Sequence, residues 1–220
     1  MAKTKKKKAE KVDGVHLTIA PPNMETGRFL IRGTSPLVMN KFSHKAKVEM
    51  METQKAGSTA KKGKKRAPKD FKTMCEAAKH ISTQGWCGIP APAFRNAMVS
   101  ACKIVGFAMT RAKLSVFIEA DGFDKDDGTP LVKITKGKSK RLDLPVRIAM
   151  GSTDIHSRPM WEPGWEALVR IRYDADQFTL EDISNLLVRV GMQTGILEGR
   201  PDSKSSCGMG WGLFDVCGTK

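Results

Sequence analysis

Aromatic side chains are scarce in this 220-residue chain, at 6% of the sequence with a single tyrosine. Cysteine is scarce too. Cys75, Cys87, Cys102, Cys207 and Cys217 are odd in number and form no Cys-x-x-Cys pair, which argues against a zinc site and against a disulfide framework. They read as ordinary thiols of a reducing cytosol, with Cys102 a small core residue. The four histidines are His16, His44, His80 and His156, and none stands at helix or hairpin spacing from another histidine or a cysteine. No apolar stretch approaches the roughly 18 residues of a membrane helix. No apolar h-region follows the basic N-terminus, so a secretory signal is not expected either. Internal repeats are absent.

Acidic residues are also short in supply. Asp and Glu number 23 against 38 Lys and Arg, for a formal net charge of +15. The excess is local. Residues 1–12 hold six lysines against Glu10, residues 55–72 hold eight basic side chains against Asp70, and residues 133–147 hold six against Asp143. Elsewhere the chain is slightly negative. A near-neutral scaffold with three cationic segments attracts polyanions over roughly a Debye length, about 8 Å at physiological salt. A lysine run is also what a solvated tail looks like, and that reading fits 1–12 better than the two inner segments. The expected organisation is a basic disordered tail over 1–13 and one domain over 14–220, with a mobile basic loop at 55–69.

Hydrophobic patterning outlines the domain. Val15 to Ala20 reads as a strand ended by Pro21 and Pro22. Gly27 to Gly33 alternates, with Phe29 and Ile31 one way and Arg28 and Arg32 the other, as in a half-buried strand. A helix is expected over about His44 to Gln54, and Asp70 can cap a second one through about His80. Pro92 suits the first turn of a third helix, in which Phe94, Met98, Ala101 and Val105 share a face and Gly106 is the stop. Lys113 to Glu119 reads as an alternating strand carrying Leu114, Val116 and Ile118 on one side. After a turn at Asp126-Asp127-Gly128, Leu131 to Thr135 and Leu142 to Ile148 read as partners in a β-arm. Its tip would be the run Lys136, Lys138, Lys140 and Arg141. Trp165 to Tyr173 alternates again. Thr179 to Asp182 resembles a capping box, starting a helix with Leu180, Ile183, Leu186, Leu187 and Val190 on one face. Gly191 to Gly195 ends it, and a last strand is expected at about Met209 to Val216. Without its inserts this order is βαββαβ, so the predicted class is α+β, a ferredoxin-like, RRM-like core with long insertions. Arg28, Arg32, Lys113, Arg170 and Arg172 would lie on the sheet face away from the helices.

One segment carries a family likeness: Gly195-Ile-Leu-Glu-Gly199-Arg200-Pro-Asp-Ser-Lys204-Ser-Ser-Cys-Gly208-Met-Gly210-Trp-Gly212. It resembles the C-terminal glycine-rich loop of the RAMP (repeat-associated mysterious protein) superfamily, which supplies backbone and crRNA-processing subunits of CRISPR effector complexes. Gly88-Ile-Pro-Ala-Pro-Ala-Phe-Arg95-Asn96-Ala-Met98 is similar to that family's segment at the start of the first core helix. The first strand running into Gly33-Thr-Ser-Pro-Leu37 is a third likeness. The resemblance implies a hand-like subunit whose palm is the sheet, whose fingers are 34–90 and whose thumb is the arm at 120–160. On that reading the RNA-binding residues are Lys41, His44 and Lys45 after the first strand, and Lys61, Lys62, Lys64, Lys65 and Arg66 in the finger loop. Arg95 and Asn96 at the helix start, Lys136, Lys138, Lys140 and Arg141 in the arm, and Arg200, Lys204, Gly208 and Gly210 in the glycine-rich loop complete the set. Met160 and Trp161, next to Arg158, are candidates for the thumb's wedge between bases, although packing beneath the arm as core is the favoured reading for Trp161. Glycines let a backbone approach a phosphate, and free N–H groups beside Arg200 and Lys204 can hold one. A loop shaped only for packing is the plain alternative.

The implied function is that of a single-stranded RNA-binding backbone subunit. It would hold a guide RNA and oligomerise along it as a helical filament, in a cytoplasmic CRISPR-type ribonucleoprotein of antiviral defence. Further partners would be other effector subunits, with no membrane and no cofactor. Two rivals share the fold: a viral coat for single-stranded nucleic acid, and a decoy that joins or blocks a CRISPR assembly. Phosphate contacts ignore the sugar, so single-stranded DNA is an alternative ligand. RNA-cleaving members of the family carry an aspartate in the loop after the first strand. No acidic residue stands between Gly33 and Val48 here, so catalysis is not carried over and the chain is not expected to be an enzyme. A base-stacking sheet of the RNA-recognition-motif type is disfavoured, because only Phe117 is available for it.

Overall fold

The first strand alternates as its sequence predicts. β1 (Met24–Gly33) buries Phe29 and Ile31 completely and exposes Arg28 and Arg32. In this computed structural model, which describes residues 20–42, 44–55, 69–147, 153–203 and 208–219, β1 lies between β9 (Glu166–Asp174) and β10 (Phe214–Thr219), antiparallel to both. The far edge of β9 is shared. β4 (Val116–Glu119) pairs with residues 170–173, and β6 (Pro130–Lys136) pairs with Ala167 and Glu166. β3 (Gly88–Pro90) and β5 (Gly122–Phe123) add to β6, giving a seven-stranded antiparallel sheet. α3 (Ala91–Ile104) precedes β4, and α5 (Leu180–Arg189) follows β9. Phe94, Met98 and Ala101 of α3 and Ile183, Leu186 and Leu187 of α5 join Phe29, Ile31, Val169 and Ile171 in one buried cluster. The capping box at Thr179 and Asp182 is present and starts α5, which ends in a π-helical turn at Val190–Thr194.

A second, three-stranded sheet has the order β2 (Leu37–Val38), β8 (Thr153–Trp161), β7 (Ser139–Arg147). α2 (Phe71–Ala77) packs on it, and Asp70 caps that helix by accepting from the Lys72 and Thr73 amides. α1 (His44–Lys55) precedes α2, and its described side chains are exposed. The basic tail and the expected strand at Val15 lie outside the described residues, as do Lys61, Lys62, Lys64, Lys65, Arg66 and Lys204.

Several sequence expectations are corrected. Residues 113–115 belong to a helix, α4 (Met109–Ser115), which buries Ala112 and Ser115 and leaves Leu114 78% exposed. The alternation read across Lys113 to Glu119 thus joins a helix end to a short strand. Val105 is the C-cap of α3 and half exposed, while Phe107 takes the apolar seat against Phe178. β7 does not pair with β6, whose edges are already taken by β9, β3 and β5. It pairs with β8, so Lys136 to Arg141 sits at the crossing between the two sheets and not at the tip of an arm. The last strand begins at Phe214, since Gly208, Gly210 and Gly212 hold φ of 70°, 72° and 70°, outside the strand region.

The end of β1 approaches Trp165 as closely as backbone can. Gly33 donates to the Trp165 carbonyl at 2.8 Å, and a Cβ at Gly33 would fall inside the indole. Gly33→Ala should therefore cost about 1–3 kcal/mol through overpacking. Gly218→Ala, where a Cβ meets open space, should stay within about ±0.5 kcal/mol. Urea denaturation of both variants checks this, with a lowered midpoint expected for the first alone.

Candidate functional site

The β2–β8–β7 sheet has two unlike faces, because residues directly opposite in register share a side. On one face Ser157, Pro159 and Trp161 are buried. Trp161 is 2% exposed and stands opposite Leu37 in register. Trp161 is therefore core beneath the arm and is not available as a wedge. The other face is half-open. It carries His156, Arg158 and Met160 on β8, with Leu144, Leu142 and Lys140 opposite them on β7. Met160 remains accessible there, flanked by Lys140 and Arg158. Lys140 pairs with Glu162 at 2.7 Å, with both side chains more than half exposed. Arg141 pairs with Asp143, and Lys136 with Glu166. Such exposed pairs contribute little to stability and leave these cations open to exchange partners. Lys138 is exposed at the base of the arm.

The glycine-rich loop lies along the edge of this sheet. Glu198 donates its amide to the Val38 carbonyl, and its carboxylate accepts from Arg158 Nε at 3.1 Å. Arg200 donates to the Leu197 carbonyl at 3.0 Å. The amides of Met209 and Trp211 both go to the Gly199 carbonyl, that of Gly212 to Pro36, and that of Ile196 to Gly212. A Cβ on Gly208 would strike the Arg200 carbonyl, and one on Gly212 the Ile196 carbonyl. Packing of backbone on backbone thus accounts for both glycines, and the amides named are already committed. Gly210 faces open space. A cleft beside the loop is lined by Met39, Asn40, His80, Leu197, Glu198, Gly199, Arg200 and Ser203.

Beneath that cleft lies a buried charge cluster. Lys41 is 6% exposed, and its ammonium sits 2.6 Å from Asp124 and 2.7 Å from Asp126. His80 Nδ1 meets the second Asp124 oxygen at 2.9 Å. Burial pushes the Asp124 carboxyl up, but hydrogen bonds from Lys41, the Asp126 amide and His80 outweigh it and hold it below its ordinary 3.8. Burial likewise pushes the Lys41 ammonium down, and its bonds to Asp124 and Asp126 hold it above its ordinary 10.5. Lys41 is therefore a structural pin and is not presented to a ligand.

Arg95 is likewise engaged at home. It donates to the Lys113 and Val116 carbonyls and lies over the Phe117 ring. Asn96 is exposed on α3, away from the arm. His44 and Lys45 are in α1, and their side chains lie outside what is described. Glu198 ties Arg158 to the wall of the cleft that Asn40, His80 and Arg200 line, while Met160 and Lys140 stand on the open face of the arm. Asn40 and His80 went unnoticed in the sequence, where no spacing signals them.

Among the described residues no group of three or more His, Cys, Asp or Glu is placed to hold a metal ion, and no helix is long and apolar enough to cross a membrane. In comparisons with known proteins, no family model and no curated protein matches this chain.

Lys41→Met should leave the Asp124 carboxylate buried without its cation and cost about 3–5 kcal/mol. Adding Asp124→Leu should restore a good part of that. Asp124 has a depressed pKa, so its contribution is present above its unfolded value of about 4 and is lost as pH falls through the folded one. Lys41 has a raised pKa, so its contribution is present below about pH 10 and is lost as pH rises through the folded value. Stability followed against pH should show a shallower acid limb in the double variant than in the parent.

Proposed function

We propose that the chain is a RAMP-like backbone protein that coats single-stranded RNA, with copies of itself following one another along the strand. One observation carries the reading. Lys140 stands exposed beside Met160 and Leu142 on a single half-open face, with Arg158 held there against Glu198 of the loop that also bears Arg200. Cations suit phosphates, and the apolar side chains between them suit bases, which is the mixture a single strand needs. Lys138, exposed where the chain crosses between the sheets, extends the positive strip, whereas Arg141 lies on the other face, opposite Pro159. The strand order β10–β1–β9–β4, with helices after β1 and β9, supports a ferredoxin-like core. On this reading the β7–β8 hairpin is the thumb, and Met160 is the side chain that meets the bases.

Binding should be led by phosphates and should weaken steeply with salt, with log K falling by roughly 0.7 per contact against log salt for a single strand. Lys138→Ser with Lys140→Ser should reduce the magnitude of that slope by about 1.4. Their exposure makes the change nearly neutral for folding, within about ±0.5 kcal/mol each. Fluorescence anisotropy of a labelled oligoribonucleotide across a salt series reads this directly. Affinity that is flat with salt in the parent would remove phosphate-led binding, and an unchanged slope in the folded variant would move the site away from the arm.

A further inference from the structure

The open face of the seven-stranded sheet carries a second group of cations, separate from the arm. Register sets three rows across β1, β9 and β4. Thr26, Arg172 and Phe117 form one row, Arg28, Arg170 and Glu119 the next, and Leu30 with Leu168 the third. Arg28 thus stands directly across from Arg170, an arrangement of like charges that sheets normally avoid. Arg170 is compensated by Glu119 at 3.6 Å and by Asp121 at 2.9 Å. Arg28 and Arg172 are exposed and have no carboxylate partner among the described residues. Two guanidiniums lie over the Phe117 ring, Arg95 at 5.0 Å and Arg172 at 5.5 Å from its centroid.

We infer that this corner of the sheet is a second contact site for single-stranded RNA. A phosphate would sit on Arg28, and a base would lie against the Arg172–Phe117 stack. Uncompensated guanidiniums select an anion, since each is always charged and offers a planar fork to phosphate oxygens. The guanidinium plane and the ring offer stacking surface to a base. The half-exposed Leu30 and Leu168 continue that surface along the sheet. The site shares no residue with the arm, although RNA as its partner rests on the reading of the chain as RNA-binding.

The test uses the full chain and bromouridine-substituted RNA, irradiated and mapped by mass spectrometry. Cross-links are expected on residues 116–119 as well as on the arm. Arg28→Ser with Arg172→Ser should abolish those on 116–119, keep those on the arm, and lower the magnitude of the salt slope by about 0.7, the loss of the one phosphate contact on Arg28. Arg172→Lys should keep the slope yet lose cross-linking at Phe117, because an ammonium has no plane to stack. Arm cross-links without any on 116–119 would overturn this inference and leave the arm site standing, as would an unchanged slope in the folded double variant. If polyglutamate bound this corner and RNA did not, its partner would be an acidic protein and the inference would fall. If the parent bound no RNA at all, both readings would fall together.

Discussion

An ammonium group inside a protein must find anions or give up its charge, and Lys41 finds two. It sits just after β2 in the smaller sheet, while Asp124 and Asp126 belong to the turn between β5 and β6 of the larger one. His80, from the segment before β3, completes the shell around Asp124. The cluster thus joins three chain segments, two of which also meet in a short antiparallel bridge between Ser82 and Asp124. His80 of the cluster also lines the cleft beside the glycine-rich loop. Removing the Lys41 charge leaves the buried Asp124 carboxylate without its cation, whereas removing Asp124 leaves Lys41 with Asp126 alone.

The glycine-rich loop follows from the same demand for close approach. Its carbonyls and amides are spent on one another and on the Pro36 and Val38 carbonyls of the segment leaving β1. Side chains at Gly208 or Gly212 would hold those backbones apart. Among its described residues the loop offers a ligand Arg200, tethered to its own loop by the Leu197 carbonyl, and the open ground around Gly210.

Local order was legible in the sequence wherever a period ran long enough. β1, β9, α3 and the capped start of α5 all stand close to where alternation, helical spacing and the Thr179 signature put them. Partner choice was not legible. β7 could be seen as a strand, but nothing within it says that its neighbour is β8 and not β6. Lys41 looked like a surface cation because its burial is decided by aspartates 83 and 85 positions away. Leu114 deceived for the opposite reason, since three apolar residues in alternation imitate a strand across a helix boundary. Of the candidate site, the arm cations were visible as a charge run, whereas the pairing of Met160 with Lys140 on one face depends on register.

The central position of β1 bears on how the chain is made. Among the described residues its strand partners, β9 and β10, both lie far beyond it in the sequence. On a ribosome β1 emerges before either of them and waits without them, a condition in which two nascent chains can pair with each other instead of with themselves. Arg28 and Arg32 interrupt its apolar alternation on the outward side. During that wait they act as gatekeepers, making a stack of identical first strands a stack of like charges.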